Sequence, residues 1–147
     1  MASPRQLCTF RVDDLLMGVP ANHVQEVLVH QPTTKLPLAD SIVRGLINLR
    51  GEIVTAICLR RRMGIAARGT DDLPMNLVID INGELVSLLV DAIGDVIEVS
   101  DDSFELTPDH IAAEVRDVVV GVYKLDNDLL LALDTPRAVE LPDSTPS

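Results

Sequence analysis

The stretch Val43-Arg44-Gly45-Leu46-Ile47-Asn48-Leu49-Arg50-Gly51-Glu52-Ile53-Val54 places apolar runs on either side of a tight Asn-Leu-Arg-Gly connection. Runs rich in Val, Ile and Leu suit strands, and Gly51 supplies the positive φ that such a turn often needs. Arg50 is left at the tip, carrying a planar, permanently charged fork. An arginine displayed on a rigid corner is a recognition device. It performs no acid/base chemistry, because it does not lose its proton in a protein.

The same pattern recurs on both sides of this hairpin. Leu7 to Val12 and Leu15 to Val19 flank Asp13-Asp14 and read as a hairpin with an acidic turn. Pro20 to His23 breaks the strand, Val24 to Val29 reads as another, and Gln31 to Asp40, with Pro32 and Pro37, reads as a loop. Leu59 to Ile65 fits one or two helical turns, and the polar Ala66 to Pro74 fits a connector between halves. Asn76 to Ile81 and Glu84 to Val90 flank Asn82-Gly83, a pair suited to a type I′ turn. Ile93 to Val99 follows as a strand, Thr107-Pro108 as a helix start, and Val118 to Tyr123 with Leu129 to Leu133 as a last pair.

These two sets resemble each other. Gly45 to Ile53 can be laid on Gly121 to Leu129 at an offset of 76, and the Asp13-Asp14 hairpin on the Asn82-Gly83 hairpin at roughly 70. Strand-rich halves with regular turn signals predict two small barrels. At 147 residues the chain fits one domain or two small subdomains sharing a core. Only 2% of residues are aromatic, so Val, Ile and Leu must fill that core.

A formal charge of −11 opposes binding to nucleic acid or to an anionic membrane. No signal peptide and no apolar run of spanning length is evident, so a cytoplasmic location is expected. Cys8 and Cys58 lie in apolar strand patterns and read as small core residues. His23, His30 and His110 lack ligand spacing, no serine sits in Gly-x-Ser-x-Gly, and no phosphate-binding glycine motif occurs. Asp95 to Asp102 does not fit a calcium loop. No metal, cofactor or catalytic residue is therefore assigned. Arg60-Arg61-Arg62 is the one basic run; a solvated helix face or a contact for an acidic partner both fit it. Glu26, a charge between Val24 and Val27 in a strand, is singled out with Arg50: either two separate surface residues, or a charge pair orienting a partner-binding surface.

The block Gly45-Leu46-Ile47-Asn48-Leu49-Arg50-Gly51-Glu52-Ile53-Val54 resembles the signature of the CheW family of chemotaxis coupling proteins. The likeness takes in Val24-Gln25-Glu26-Val27, Leu89-Val90-Asp91-Ala92-Ile93-Gly94-Asp95-Val96, Val120 to Leu125 and Leu129 to Asp134, in that order. It implies an all-β fold with short helices: two small five-stranded SH3-like barrels, intertwined in one domain over about 7–139, with a connector near 66–74 and a flexible tail over 140–147.

It further implies a non-enzymatic adaptor between the cytoplasmic signalling tip of a chemoreceptor and the regulatory domain of a CheA-type histidine kinase. Val24, Glu26, Val27, Asn48, Arg50 and Gly51 would meet the receptor, and Thr55, Cys58, Arg60 and Arg61 the kinase. Relatives commonly continue the signature with a proline and an aspartate. Thr55 and Cys58 stand in those places here, whereas the second half keeps Asp134. The lost aspartate removes a side chain able to cap the following turn. An alternative is thus a divergent paralogue that binds receptors but couples the kinase weakly.

Overall fold

The computed structural model describes residues 5–29, 31–35, 42–66 and 74–139. Strands β1 (Arg5–Val12) and β2 (Leu15–Pro20) form the first hairpin, and a 3₁₀ turn (Ala21–His23) leads into β3 (Val24–Leu28). The hairpin β4 (Val43–Leu49) and β5 (Glu52–Cys58) runs into helix α1 (Leu59–Arg62). Strands β6 (Met75–Ile81), β7 (Glu84–Val90) and β8 (Ala92–Val99) follow. After a second 3₁₀ turn (Asp101–Ser103) come β9 (Phe104–Glu105), α2 (Ala113–Arg116), β10 (Val119–Lys124), β11 (Leu129–Leu133) and α3 (Thr135–Ala138). The helix start expected at Thr107-Pro108 is instead a turn closed by Ile111 N–H on Pro108 C=O, and helix begins only at Ala113.

The strands make a six-stranded sheet, ordered β8-β1-β2-β11-β10-β9, and a five-stranded sheet, ordered β3-β6-β7-β5-β4. The five-stranded sheet is contiguous in sequence, from Val24 to Val90, and is inserted between β2 and β8. Residues 66–74 separate the two sequence repeats, but β5 and β6 on either side belong to one sheet, and 67–73 lie outside the described residues. Each sheet takes its central hairpin from one repeat and its remaining strands from the other. The intertwining follows from that exchange.

Each sheet curls rather than lying flat. The edge strand β8 continues through Asp101–Ser103 into β9, which pairs at the opposite edge. In the other sheet the chain leaving β3 returns so that Thr34 exchanges two 2.8 Å backbone hydrogen bonds with Leu46 of β4. Among the described residues the strands form two curled sheets with short helices between strands, the all-β class that the resemblance implies.

Both turnings depend on a glycine. Gly45 and Gly121 each follow a bulge in their strand. A Cβ on Gly45 would strike the Thr34 carbonyl, and one on Gly121 the Phe104 ring. The 76-residue offset read from sequence thus superposes two structurally equivalent corners.

The main core lies between the sheets and includes Phe10, Met17, Ile57, Leu59, Met63, Leu77, Ile79, Leu88 and Leu131. Smaller cores fill the inner curl of each sheet: Leu7, Tyr123 and Leu130 in one, Ile47, Val54, Ala56 and Leu89 in the other. Along β11, Leu129, Leu131 and Leu133 face the main core while Leu130 and Ala132 face the inner one. Burial on both faces explains an uninterrupted Leu-Leu-Leu-Ala-Leu strand. Cys8 is buried, as expected, and the burial pushes its thiol pKa up; Cys58 is only half-buried.

Candidate functional site

Two consecutive left-handed residues make the tip of the β4–β5 hairpin, Arg50 at φ 53° and Gly51 at φ 86°. Asn48 secures it, its Oδ1 accepting from Gly51 N–H at 2.9 Å. The turn aims Arg50 at Glu26. Its Nη1 lies 2.7 Å from Glu26 Oε1, and its Nη2 donates to Oε2 at 2.8 Å. This is a bidentate pair, the strongest geometry open to a guanidinium and a carboxylate. Glu26 belongs to β3 and Arg50 to the hairpin that carries β4, so the pair joins the two edges of the curled five-stranded sheet. The Arg50 side chain is 75% exposed and that of Glu26 is 21% exposed. The pair is therefore held from below and presented to solvent from above.

The other residues expected to meet a receptor divide. Asn48 and Gly51 share the hairpin with Arg50. Val24 is half-buried against the main core, whereas Val27 is 43% exposed, one residue beyond Glu26 on the alternate face of β3. Ile53, opposite Asn48 in the β4–β5 ladder, is 60% exposed. Sequence reading passed over it, although strict alternation from the buried Val54 places it outward. Thr55 lies on the Ile53 side of β5, a face that descends to buried Ile57. It belongs with the hairpin surface rather than with α1.

Helix α1 places its three arginines differently. Arg60 donates from Nε to Asp91 Oδ1 at 2.9 Å, from Nη2 to Asp91 Oδ2 at 2.7 Å and from Nη1 to the Ala66 carbonyl at 2.7 Å, with Asp13 at 3.5 Å. These neighbours raise its pKa, chiefly through the hydrogen bonds to Asp91. Arg62 donates to the Arg137 carbonyl at 3.0 Å and faces Asp117 at 3.4 Å. Arg137 Nη2 lies 2.6 Å from Asp117 Oδ1. Only Arg61 of the three is exposed, and Arg60 is held by Asp91 and the Ala66 carbonyl within the molecule. Cys58 stands at the N-cap of α1 with no side-chain cap bond, while Asp134 caps α3 by accepting from Arg137 N–H at 3.2 Å. That is the asymmetry which losing the first aspartate predicts.

Among the described residues no group of three His, Cys, Asp or Glu side chains could hold a metal ion. No described helix is long and apolar enough to cross a membrane. The arrangement is a charged, partly apolar surface suited to a macromolecular contact.

Comparison with known proteins agrees with this architecture. Residues 6–142 match the family model described as CheW-like domain. The chain is 31% identical to the chemotaxis protein CheW of Rhizobium meliloti (strain 1021) over 130 residues, 88% of this chain and 84% of that one. It is 27% identical to the chemotaxis protein CheW of Treponema pallidum (strain Nichols), covering 88% of this chain and 78% of that one. The crystal structure of the scaffolding protein TtCheW from Thermoanaerobacter tengcongensis superposes with a TM-score of 0.78 at 30% identity, covering 89% of both chains.

Proposed function

The chain belongs to the CheW-like family, and from that premise we propose that it is a non-enzymatic signalling adaptor of a bacterial chemosensory system. It works in the cytoplasm within receptor arrays. It joins the cytoplasmic signalling tip of a methyl-accepting chemoreceptor to the regulatory domain of a CheA-type histidine kinase. The observation that supports the receptor role is the exposed bidentate Glu26–Arg50 pair, with exposed Val27 next to Glu26 in the chain and exposed Ile53 two residues beyond the Arg50–Gly51 tip. A receptor's helical hairpin offers an apolar stripe with polar flanks. Val27 and Ile53 would take the stripe, and the Arg50 fork would take a flanking acceptor. Asn48 and Gly51 fix the tip, and Val24 anchors β3 beneath it.

The test is a titration of receptor-tip fragment against the parent protein and Arg50→Glu. Affinity should fall at least tenfold, about 1.4 kcal/mol, with the circular dichroism spectrum unchanged. Equal affinities would remove the assignment.

The uncapped turn at Cys58 favours a second reading, a paralogue that binds receptors but couples the kinase weakly. Thr55, Cys58 and Arg61 then mark the altered surface, with Arg60 contributing only through the fold. Calorimetry against the regulatory domain of its own kinase separates the readings. A dissociation constant in the low micromolar range or tighter identifies an ordinary coupling protein.

A further inference from the structure

Among the described residues the chain passes between its two sheets at two places: through Ala21–His23, from β2 to β3, and at Asp91, the single residue between Val90 of β7 and Ala92 of β8. These crossings occupy equivalent positions in the two repeats but are built differently. The first is a 3₁₀ turn with no side-chain cap bond. The second is gripped from both sheets. Arg60, at the end of the five-stranded sheet's β5, holds the Asp91 carboxylate through Nε and Nη2. Asp13, in the β1–β2 turn of the six-stranded sheet, donates its backbone N–H to Asp91 Oδ2 at 2.6 Å. The Asp91 N–H donates to the Arg11 carbonyl at 2.9 Å. The Arg60 and Asp91 side chains are only 13% and 9% exposed. At that burial the carboxylate and guanidinium compensate each other's charge, and removing one leaves the other's charge largely buried without its main ion partner.

We infer that Arg60 and Asp91 are a positioning pair that fixes the two sheets relative to each other, so that a load on the Glu26–Arg50 surface is carried to the six-stranded sheet. The geometry runs through β5, which has Arg50 just before one end and Arg60 just after the other. A pull on the hairpin therefore reaches α1 along one strand. At α1 it meets the crossing residue and the β1–β2 turn at once. If Arg60 let go, the end of β5 would shift over the shared core without moving the crossing and the β1–β2 turn in step, and the adaptor would bind without transmitting. Transmission rests on the adaptor role proposed above; the fixing of the sheets does not.

The experiment separates the two. Spin labels at the exposed positions Gln25 on β3 and Glu98 on β8 report the distance between sheets, in a background with Cys8 and Cys58 replaced by alanine. Asp91→Asn should broaden that distance distribution at least twofold. Arg60→Lys, which keeps the charge but not the fork, is the milder variant should Asp91→Asn fail to fold, and it should broaden the distribution less. In reconstituted arrays both variants should bind receptor tip within twofold of the parent while receptor control of the kinase falls at least tenfold. A distance distribution as narrow as the parent's in a folded variant overturns the inference. Broadening with full kinase control overturns its transmission half. If the parent itself binds no receptor tip, the adaptor reading fails, and the distance measurement alone still decides whether the pair fixes the sheets.

Discussion

Arg50 occupies a backbone conformation that suits it poorly. Its φ of 53° and that of Gly51, 86°, nearly repeat those of Asn82 and Gly83 at the β6–β7 hairpin, 54° and 89°. Asn-Gly is the natural occupant of such a turn, and a long side chain at positive φ costs about 1 kcal/mol. Replacing Arg50 by Asn should therefore leave the thermal midpoint unchanged or raise it by about 2 °C, because the exposed pair with Glu26 contributes under about 1 kcal/mol. Receptor-tip affinity should nonetheless fall. A fall in both would show that the arginine serves the fold. Gly45 is the opposite case. Its φ is 151° and a side chain there meets backbone, so Gly45→Ala should cost about 1–3 kcal/mol, read as a drop in midpoint of several degrees.

At the scale of elements, what was legible in the sequence was what local chemistry controls. The hairpins around Asp13, Arg50 and Asn82 announced themselves through alternation and turn residues. Pairing Glu26 with Arg50 is one of two readings the sequence allows, and the structure joins them at 2.7 Å. What was not legible depended on distant partners. Nothing in Arg60-Arg61-Arg62 says that two of the three fold inward, because Asp91, Asp13 and Asp117 are remote in sequence. Nor does Phe104-Glu105 look like a strand; it becomes one because Gly121 lets it approach.

The uncapped α1 is testable. Cys58→Asp should let a carboxylate accept from the Arg61 N–H, as Asp134 does from Arg137. A new cap contributes about 0.5–2 kcal/mol, so the midpoint should rise by a few degrees and kinase affinity with it. No gain in stability would mean that burial of the charge at this half-buried site cancels the cap. At the other end of α1, hydrogen bonding to Arg137 holds the Asp117 carboxyl below the usual carboxylate range, with Arg62 adding to the effect. A lowered pKa in the fold stabilises above the unfolded value and loses that effect as pH falls through the folded one. Asp117→Asn should thus be less stable than the parent at neutral pH. The gap should close below pH of about 3.9 and shrink in salt, since the site is exposed. A gap that persists in acid would rule out the ion pair as its cause.

For the whole molecule the decisive feature is that the largest core is shared. Ile57, Leu77, Ile79 and Leu88 of the inserted five-stranded sheet, with Leu59 of α1, cluster with Phe10, Met17, Val122 and Leu131 of the other. Although residues 24–90 are contiguous, cutting them out would expose that face, at about 25 cal/mol for each Å² of apolar surface. The inner clusters, built from Ile47, Val54, Ala56 and Leu89 in one sheet and Leu7, Val99, Tyr123, Leu130 and Ala132 in the other, are small by comparison. Neither sheet has enough of a private core to persist alone, so the two should unfold in one cooperative step. The composition supplies a clean probe. The chain has one tyrosine and no tryptophan, and Tyr123 is buried in the inner core of the six-stranded sheet. Tyrosine fluorescence therefore reports that sheet, while far-ultraviolet circular dichroism reports both. In urea the two signals should give coincident midpoints and equal slopes. A fluorescence transition displaced from the dichroism transition would show that the sheets unfold separately. The shared core would then be a contact between independent domains rather than the centre of one.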